Sequence, residues 1–199
     1  MARRSDHSRE ELKSMILETA GAIVAKKGFA ALTARRIAKD IGYTPGTIYN
    51  IFRSMDDICL HLNGLTLDSL YEHLSGKEKS KKPSLQAIKV MANTYRAFAQ
   101  KEKERWLMLF THSMPEEKTV PDWYQKKIER LFLPLEELLK PYFRPSQNKK
   151  RKKAARTLWA AVHGLVFLEE TGKIPLPDQE ENAPDMTAYL IDTFIAGLK

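Results

Sequence analysis

The stretch Thr33–Phe52, TARRIAKDIGYTPGTIYNIF, carries two short helical patterns on either side of a compact turn. Small or aliphatic residues recur at helical spacing in its first half, and larger apolar residues do so in its second half. The first stripe consists of Ala34, Ile37, Ala38 and Ile41, and the second consists of Ile48, Ile51 and Phe52. Two stripes so close together predict two short helices that cross at close range.

The turn between the stripes has residues suited to ending one helix and beginning the next. Gly42 lies four residues after the small Ala38 and suits the positive φ angle that commonly ends a helix. Thr44 fits an N-cap position, and Pro45 fits the first helical position, where its missing amide hydrogen costs nothing. These local choices together predict a helix-turn-helix.

The outward face of the second short helix contains no acidic residue. Hydroxyl groups bond phosphate oxygens, helix N-terminal amides attract anions, and an asparagine amide both donates to and accepts from a base edge. The outward residues are Thr44, Pro45, Gly46, Thr47, Tyr49 and Asn50, flanked from the first helix by Arg35, Arg36 and Lys39. This combination predicts a surface for double-stranded DNA, and the alternative is a helical hairpin with a merely solvated face.

The composition agrees with an ordinary globular protein that attracts polyanions. The 199 residues are 43% hydrophobic, and 33 basic against 25 acidic residues give a net charge of +8. Nucleic acid and an anionic membrane would both be drawn by this charge. The sequence has a single cysteine, no apolar leader and no run long enough to cross a bilayer, so we expect a cytoplasmic protein that does not enter membranes.

The rest of the chain is also predicted to be helical. Ser8 and Glu11 form a capping-box pattern that begins a helix lasting until Gly28, and Ser54 with Asp57 begins another whose apolar stripe includes Leu65. A polar loop is predicted over residues 76–84. Further helices are predicted over about 85–113, 121–143, 150–172 and 184–198, with Pro115, Pro175 and Pro177 among the separating prolines and Pro134 as a bend.

The period-two alternation of strands is missing, so the predicted fold class is all-α with about nine helices. We expect a three-helix helix-turn-helix head joined to a helical body. The DNA-binding domain is placed at residues 1–60, with the motif at about 32–51, and the body at residues 61–199.

The last two predicted helices are apolar on more than one side, which a surface helix of a monomer does not require. This favours a homodimer in which the pair packs with its symmetry mate into four helices. An unusually buried monomer core is the alternative. The candidate dimer residues are Leu165, Leu168, Ile191 and Ile195.

The body is rich in aromatic residues and methionine, a content that suits a small-molecule pocket and an ordinary core equally well. His163 lies on an apolar stripe, where a histidine is more often a core residue than a ligand. The candidate effector-binding residues are Tyr95, Trp106, Phe110, His112, Trp123, Trp159, His163 and Phe167.

With these residues considered, the chain resembles the TetR family of bacterial transcriptional repressors, which have an N-terminal helix-turn-helix and a helical, dimeric, ligand-binding body. The resemblance is carried by the Gly28-Phe29 pair, the T-x-R-x-I-A run from Thr33 to Ala38, Gly42 and the PGTIYNIF block. In the body, the run from Trp159 to Gly164 is similar to the WHG signature of some members.

The resemblance implies a regulator that binds a palindromic operator as a homodimer and is released by an unknown small-molecule effector. Arg35, Tyr43, Thr44, Thr47 and Asn50 would approach bases or nearby phosphates, and Tyr49 would bond the DNA backbone. Thr33 would be an N-cap near a phosphate. Ile51 and Met55 stand where relatives commonly contact phosphate, and Arg53 is expected to compensate for them.

Other classes of function find less support in the sequence. An enzyme is not predicted, because no nucleophile, base and orienting group can be named. A DNA-binding protein without a small ligand, regulated by a partner, is a further alternative. Cys59 and His61 lack the additional ligands of a zinc site, so neither a metal nor a cofactor is expected. The basic run Lys149–Lys153 is predicted to be a solvated turn, with a nucleic-acid contact as the alternative.

Overall fold

The computed structural model describes residues 7–76, 82–114, 119–173 and 183–198. Within these ranges the chain forms nine α-helices and no strand, which confirms the all-α prediction. Most of the predicted loop 76–84 lies outside the described residues, as do Pro115, Pro175 and Pro177. The helices are α1 (Arg9–Lys27), α2 (Ala34–Asp40), α3 (Pro45–Ile51), α4 (Met55–Gly76), α5 (Leu85–Lys101), α6 (Lys103–Thr111), α7 (Asp122–Leu138), α8 (Asn148–Glu170) and α9 (Ala183–Ala196).

The capping box predicted for α1 is present. The Ser8 hydroxyl accepts a hydrogen bond from the Glu11 backbone amide at 3.3 Å, and the Glu11 carboxylate accepts one from the Ser8 amide at 2.7 Å. The bond from the Ser8 amide lowers the pKa of Glu11. Gly28 ends the helix with φ 76°, so both predicted ends of α1 are confirmed.

The predicted helix 85–113 is wrong in one respect, because it is two helices that separate at Glu102. The backbone of Glu102 leaves helical geometry with φ −110° and ψ 34°. Neither glycine nor proline stands there, so the sequence carried no signal for the break. Pro134 lies inside α7, which continues past it to Leu138.

Contacts group the chain into two compact units, one comprising Met1–Thr66 and Glu102–Tyr124, the other Leu67–Lys101 and Gln125–Lys199. In the first unit, α1, α2 and α3 pack around a core in which Ile16, Ile37 and Ile48 are fully buried. Burying each of these side chains contributes about 1.5–3 kcal/mol. Met108 of α6 belongs to the same core.

The sequence placed Leu65 on the apolar stripe of α4, but 55% of this residue is exposed, so the prediction is wrong at this position. The neighbours that pack inward on this helix are Leu62, Thr66 and Leu67. Because the helical stripe passes through these residues, Leu65 points to the opposite side.

In the second unit, α5, α8 and α9 pack against one another. Ile191 is fully buried and Ile195 is nearly so within this single chain. The prediction that these two residues form a dimer surface is therefore wrong, because α9 turns them toward its own unit. Among the described residues, the structure contains no helix whose length and apolar character would let it span a bilayer.

Candidate functional site

The turn between α2 and α3 closes with two backbone hydrogen bonds. The Tyr43 amide donates to the Ala38 carbonyl at 2.8 Å, and the Gly42 amide donates to the Lys39 carbonyl at 3.3 Å. This pair of bonds is a Schellman motif, which requires a left-handed residue after the helix. Gly42 supplies that residue with φ 75°, as the sequence predicted.

Two threonines begin the helices of the motif in different ways. The Thr33 hydroxyl accepts a hydrogen bond from the Arg36 amide at 3.2 Å, so Thr33 is an N-cap. Thr44 occupies the N-cap position before Pro45, but its hydroxyl lies 3.1 Å from the hydroxyl of Thr47 instead of capping a backbone amide. The two hydroxyl groups therefore form a small polar pair at the start of α3.

The outward face of α3 is open to solvent as the sequence indicated. Tyr49 is 49% exposed. Thr47, Tyr43 and Arg36 are half-buried. The other predicted DNA-binding residues are exposed, namely Thr33, Arg35, Thr44, Pro45, Gly46, Asn50 and Arg53. These side chains thus lie on α2, on α3, in the four-residue turn between them and at the positions that flank the two helices.

Arg36 and Tyr43 already have partners in the chain. The Arg36 guanidinium donates to the Asp40 carboxylate one turn later at 2.8 Å. The Tyr43 hydroxyl is hydrogen-bonded to Nδ1 of His7 at 2.8 Å. His7 could not be predicted from the sequence, because 36 residues separate the two rings and only the packing of α1 brings them together.

The junction between α3 and α4 explains the two departures from the family pattern. Ile51 and Met55 are half-buried and pack against the core of the first unit. Arg53 between them is exposed, and its backbone amide donates to the Asp57 carboxylate at 3.0 Å. Apolar packing therefore occupies both positions, while Arg53 is left facing solvent.

A second feature is an apolar cavity inside the second unit. Its empty volume is about 460 Å³, which includes space open to solvent. No lining residue carries a charge, and hydroxyl and indole groups are contributed only by Tyr95 and Trp159. The lining residues are Leu74, Ile88, Met91, Ala92, Tyr95, Leu131, Phe132, Leu135, Leu158, Trp159, Val162 and Ile191.

His163 forms a cluster with the aromatic residues of the cavity wall. The Tyr95 hydroxyl is hydrogen-bonded to Nδ1 of His163 at 2.8 Å, and the ring of Phe167 lies 5.8 Å from the imidazole. Burial lowers the pKa of His163. The imidazole is therefore held neutral near physiological pH, as a core histidine would be.

The predicted effector residues divide between the two units. Tyr95 and Trp159 line the cavity, and His163 and Phe167 contact them directly or through each other. The structure does not bring Trp106, Phe110, His112 and Trp123 to this cavity, so a role of these four residues in effector binding stays a prediction. They belong to the first unit, where Trp106 is fully buried and Nε2 of His112 lies 3.3 Å from the Asp56 carboxylate.

Most of the cavity wall was missed in the sequence. Its aliphatic residues, such as Ile88, Met91 and Leu135, have the same helical spacing as ordinary core residues. The spacing identifies the inward face of a helix, but it cannot reveal that the facing helices leave a gap. Ile191 was assigned to a dimer surface and instead forms part of the wall.

The basic run Lys149–Lys153 is helical, which corrects the predicted turn. It forms the first turns of α8, and no acidic residue follows until Glu169. Lys149, Lys150, Lys152 and Lys153 are all exposed.

Apolar side chains also remain exposed on the outer sides of α8 and α9. Leu168 is 37% exposed and Tyr189 is 74% exposed, while Leu165 and Phe194 are half-buried. Among the described residues, no cluster of three metal-ligating side chains occurs. Cys59 is buried, and burial raises its pKa to about 12.

Comparison with known proteins identifies both parts of the chain. Residues 16–62 match the family described as bacterial regulatory proteins, tetR family. Residues 88–194 match the tetracyclin repressor-like C-terminal domain. The chain is 27% identical, over 96% of its length and 83% of the relative, to the uncharacterized HTH-type transcriptional regulator Rv0681 of Mycobacterium tuberculosis.

Two solved structures share the fold. FadR of Thermus thermophilus, in complex with lauroyl-CoA, is 19% identical with a TM-score of 0.62, over 96% of this chain and 93% of that one. FadR of Bacillus subtilis, in complex with stearoyl-CoA, is 14% identical with a TM-score of 0.61, over 93% and 98%. Because the two family matches cover the helix-turn-helix and most of the body, the chain belongs to the TetR family and is a DNA-binding transcriptional regulator.

Proposed function

We propose that this regulator is a homodimeric repressor that binds a palindromic operator and is released from it by a small-molecule effector with an apolar part. The observation that carries the effector part is the uncharged cavity of the second unit. In this proposal residues 1–60 serve DNA binding, and residues 61–199 serve effector binding and dimerisation.

The exposed face of α2 and α3 supports the DNA contacts. Arg35, Thr44 and Asn50 are exposed, and side chains of this kind reach base edges and neighbouring phosphates. Tyr43 and Thr47 are half-buried beside them. Tyr49 has its ring exposed to contact the DNA backbone. The flanking contacts that complete the surface are Thr33, Arg36, Pro45, Gly46 and Arg53.

The dimer is supported by the apolar face that α8 and α9 leave uncovered. We assign this face to Leu165 and Leu168 on α8 and to Tyr189 and Phe194 on α9. A two-fold dimer uses the same surface on both copies, so one such face per chain is sufficient. Two copies present two recognition helices, which fit half-sites about one helical turn or a small multiple apart.

The chemistry of the cavity supports an effector with a substantial apolar part. An unpaired charge would be costly among these lining residues, whereas a hydrocarbon chain would find only compatible contacts. The two FadR structures carry acyl-CoA molecules, and an acyl chain is an effector of this kind. The hydrogen-bonded pair of Tyr95 and His163 would mark the polar side of the cavity.

Release of the operator requires that the effector bind one conformation of the regulator more tightly than another. To reverse a 99:1 population of the DNA-binding form, the effector must prefer the other form by about 10⁴-fold, or about 5.5 kcal/mol. Contacts made throughout an apolar cavity are a suitable source of this preference, because the cavity must widen to admit a long chain.

A DNA-binding protein regulated only by a partner protein is the second candidate. A fully packed body would favour it, and the cavity argues against it. The decisive experiment selects the operator from random DNA and then screens acyl-CoA esters and apolar metabolites for release of the complex. Footprints that covered one asymmetric half-site would contradict the palindromic dimer.

Variants at two alanines of α5 test the role of the cavity. Ala92 lines the cavity, so Ala92→Phe should fill it, retain operator binding and lose release by the effector. Ala97 is exposed on the same helix, so Ala97→Phe is the matched control and should release normally. Equal release of both variants would show that the effector does not use this cavity.

A further inference from the structure

We propose that the effector is an amphipathic anion, with its apolar part in the cavity and a phosphate-bearing carrier along α8. We call the side chains of Lys149, Lys152, Lys153 and Arg156 the basic face. This inference rests on the proposed function and adds the chemical class of the effector.

The basic face and the cavity wall lie on one continuous helix. Positions 152, 156, 159 and 163 of α8 recur at intervals of three or four residues and therefore share one side. Trp159 lines the cavity. At a rise of 1.5 Å per residue, Lys152 lies about 10 Å and Lys149 about 15 Å along the helix from Trp159.

Arg156 stands at the junction between these two regions. Its guanidinium lies 4.6 Å from the ring centroid of Phe132, a residue of the cavity wall. The Phe132 ring in turn lies 5.6 Å from the ring of Trp159. Arg156 also donates to the nearly buried Glu136 carboxylate at 3.2 Å, which fixes its position and compensates its charge.

The positive charges of the lysines on the basic face are not compensated in this way. Within the described parts of the chain, none of Lys149, Lys152 and Lys153 forms an ion pair with a carboxylate. They stand on the first turns of α8, where the helix dipole disfavours cations. The cluster therefore does not stabilise its own helix, and a bound anion would relieve its repulsion.

The cavity cannot hold the anionic part itself. No lining residue is charged, and the adjacent His163 is kept neutral because burial lowers its pKa. An anion inside would lose its hydration without gaining a partner. A ligand that satisfies both regions has an apolar chain, a neutral linker of about 10–15 Å and phosphate groups at the far end, since the lysines lie at that distance along the helix. An acyl thioester of a phosphate-bearing carrier has this construction.

The test compares three ligands by isothermal titration of the intact protein, namely lauroyl-CoA, CoA alone and the phosphate-free thioester S-lauroyl-N-acetylcysteamine. The test variant replaces three lysines of the basic face, K149Q, K152Q and K153Q. The control variant removes the same charge from exposed lysines elsewhere in the second unit, K101Q, K126Q and K173Q.

We expect the basic-face variant to bind lauroyl-CoA about tenfold more weakly, because several charge contacts of modest individual strength are lost together. Its affinity for the phosphate-free thioester should not change, and the salt dependence of lauroyl-CoA binding should become shallower. The control variant should bind all three ligands like the unaltered protein.

Three results would overturn the inference while leaving the proposed function intact. In the first, both variants bind lauroyl-CoA equally well. In the second, the unaltered protein binds lauroyl-CoA and the phosphate-free thioester equally well. In the third, the basic-face variant loses affinity for the operator without losing affinity for the ligand. The last result would assign the face to DNA. Failure of the proposed function is distinct, because there no ligand would release the operator and Ala92→Phe would change nothing.

Discussion

The imidazole ring of His163 stacks on the indole ring of Trp159, with centroids 5.0 Å apart and an interplanar angle of only 10°. The hydroxyl of Tyr95 on α5 is hydrogen-bonded to Nδ1 of the same imidazole at 2.8 Å. This arrangement joins α5 to α8 at the wall of the cavity. It also places a titratable group where burial opposes its charged form.

His163 should therefore make the protein less stable in acid. Burial lowers its pKa in the folded state, so the unfolded state binds more protons as pH falls through the ordinary histidine value of about 6.5. The free energy of unfolding should decrease in this range. In the His163→Gln variant it should decrease less, because the contribution of the histidine is absent. Urea denaturation between neutral pH and about pH 5 measures it. His73→Gln, at an exposed position, is the control, and identical pH profiles for both variants would contradict the prediction.

Position 42 has room for a side chain, but its backbone conformation disfavours residues other than glycine. A Cβ atom there would meet no other atom within 4 Å, yet φ is 75°, which L-residues disfavour. Gly42→Ala should cost about 1 kcal/mol, and Gly42→Asn should cost less because asparagine accepts this conformation more readily. Gly164 lies within α8 with equally open space, so Gly164→Ala should be neutral or stabilising. Urea denaturation of the three variants tests this order.

The head was predictable because its features are encoded by neighbouring residues. The Ser8 and Glu11 capping box and the Gly42 turn each depend on residues within a few positions of one another. The apolar stripe that buries Ile37 and Ile48 also follows from local spacing. His7 is the exception, because its bond to Tyr43 depends on how α1 packs.

The body was less predictable because α9 is apolar on more than one side. Sequence alone could not decide whether Ile191 or Tyr189 faces inward, since both belong to acceptable helical stripes. The packing of α9 against α5 and α8 determines which side faces inward, because it buries Ile191 and leaves Tyr189 exposed. The association of α6 with the core of the first unit, through Met108, is likewise a long-range property.

Tyr49 and Asn50 should differ in how they affect DNA recognition. Tyr49→Phe should weaken binding to all sequences by a similar factor, because a hydroxyl bond to the DNA backbone carries no base information. Asn50→Ala should relax the preference at one base pair, with a discrimination loss of about 1–3 kcal/mol. Titrations against the selected operator and its single-base variants separate these outcomes. A base-specific effect of Tyr49→Phe would reverse the assigned roles.

Cys59 should be unreactive in the folded protein. The thiol is buried on α4 and burial raises its pKa to about 12, so very little thiolate forms at mildly alkaline pH. Alkylation by iodoacetamide should be slow in buffer and should follow the unfolding transition in urea. Rapid alkylation without urea would show that this part of α4 opens locally.

The uncovered face of α8 and α9 should control the oligomeric state. Leu168→Glu should produce a monomer, because a charge would be left unpaired in a dry interface, and it should weaken operator binding by separating the two heads. The melting temperature of the chain should change little, since Leu168 is 37% exposed in the single chain. Leu133 on α7 is 50% exposed, so Leu133→Glu provides a matched control that should remain dimeric. Sedimentation velocity together with operator titration measures both effects, and a Leu168→Glu variant that stayed dimeric would exclude this face as the interface.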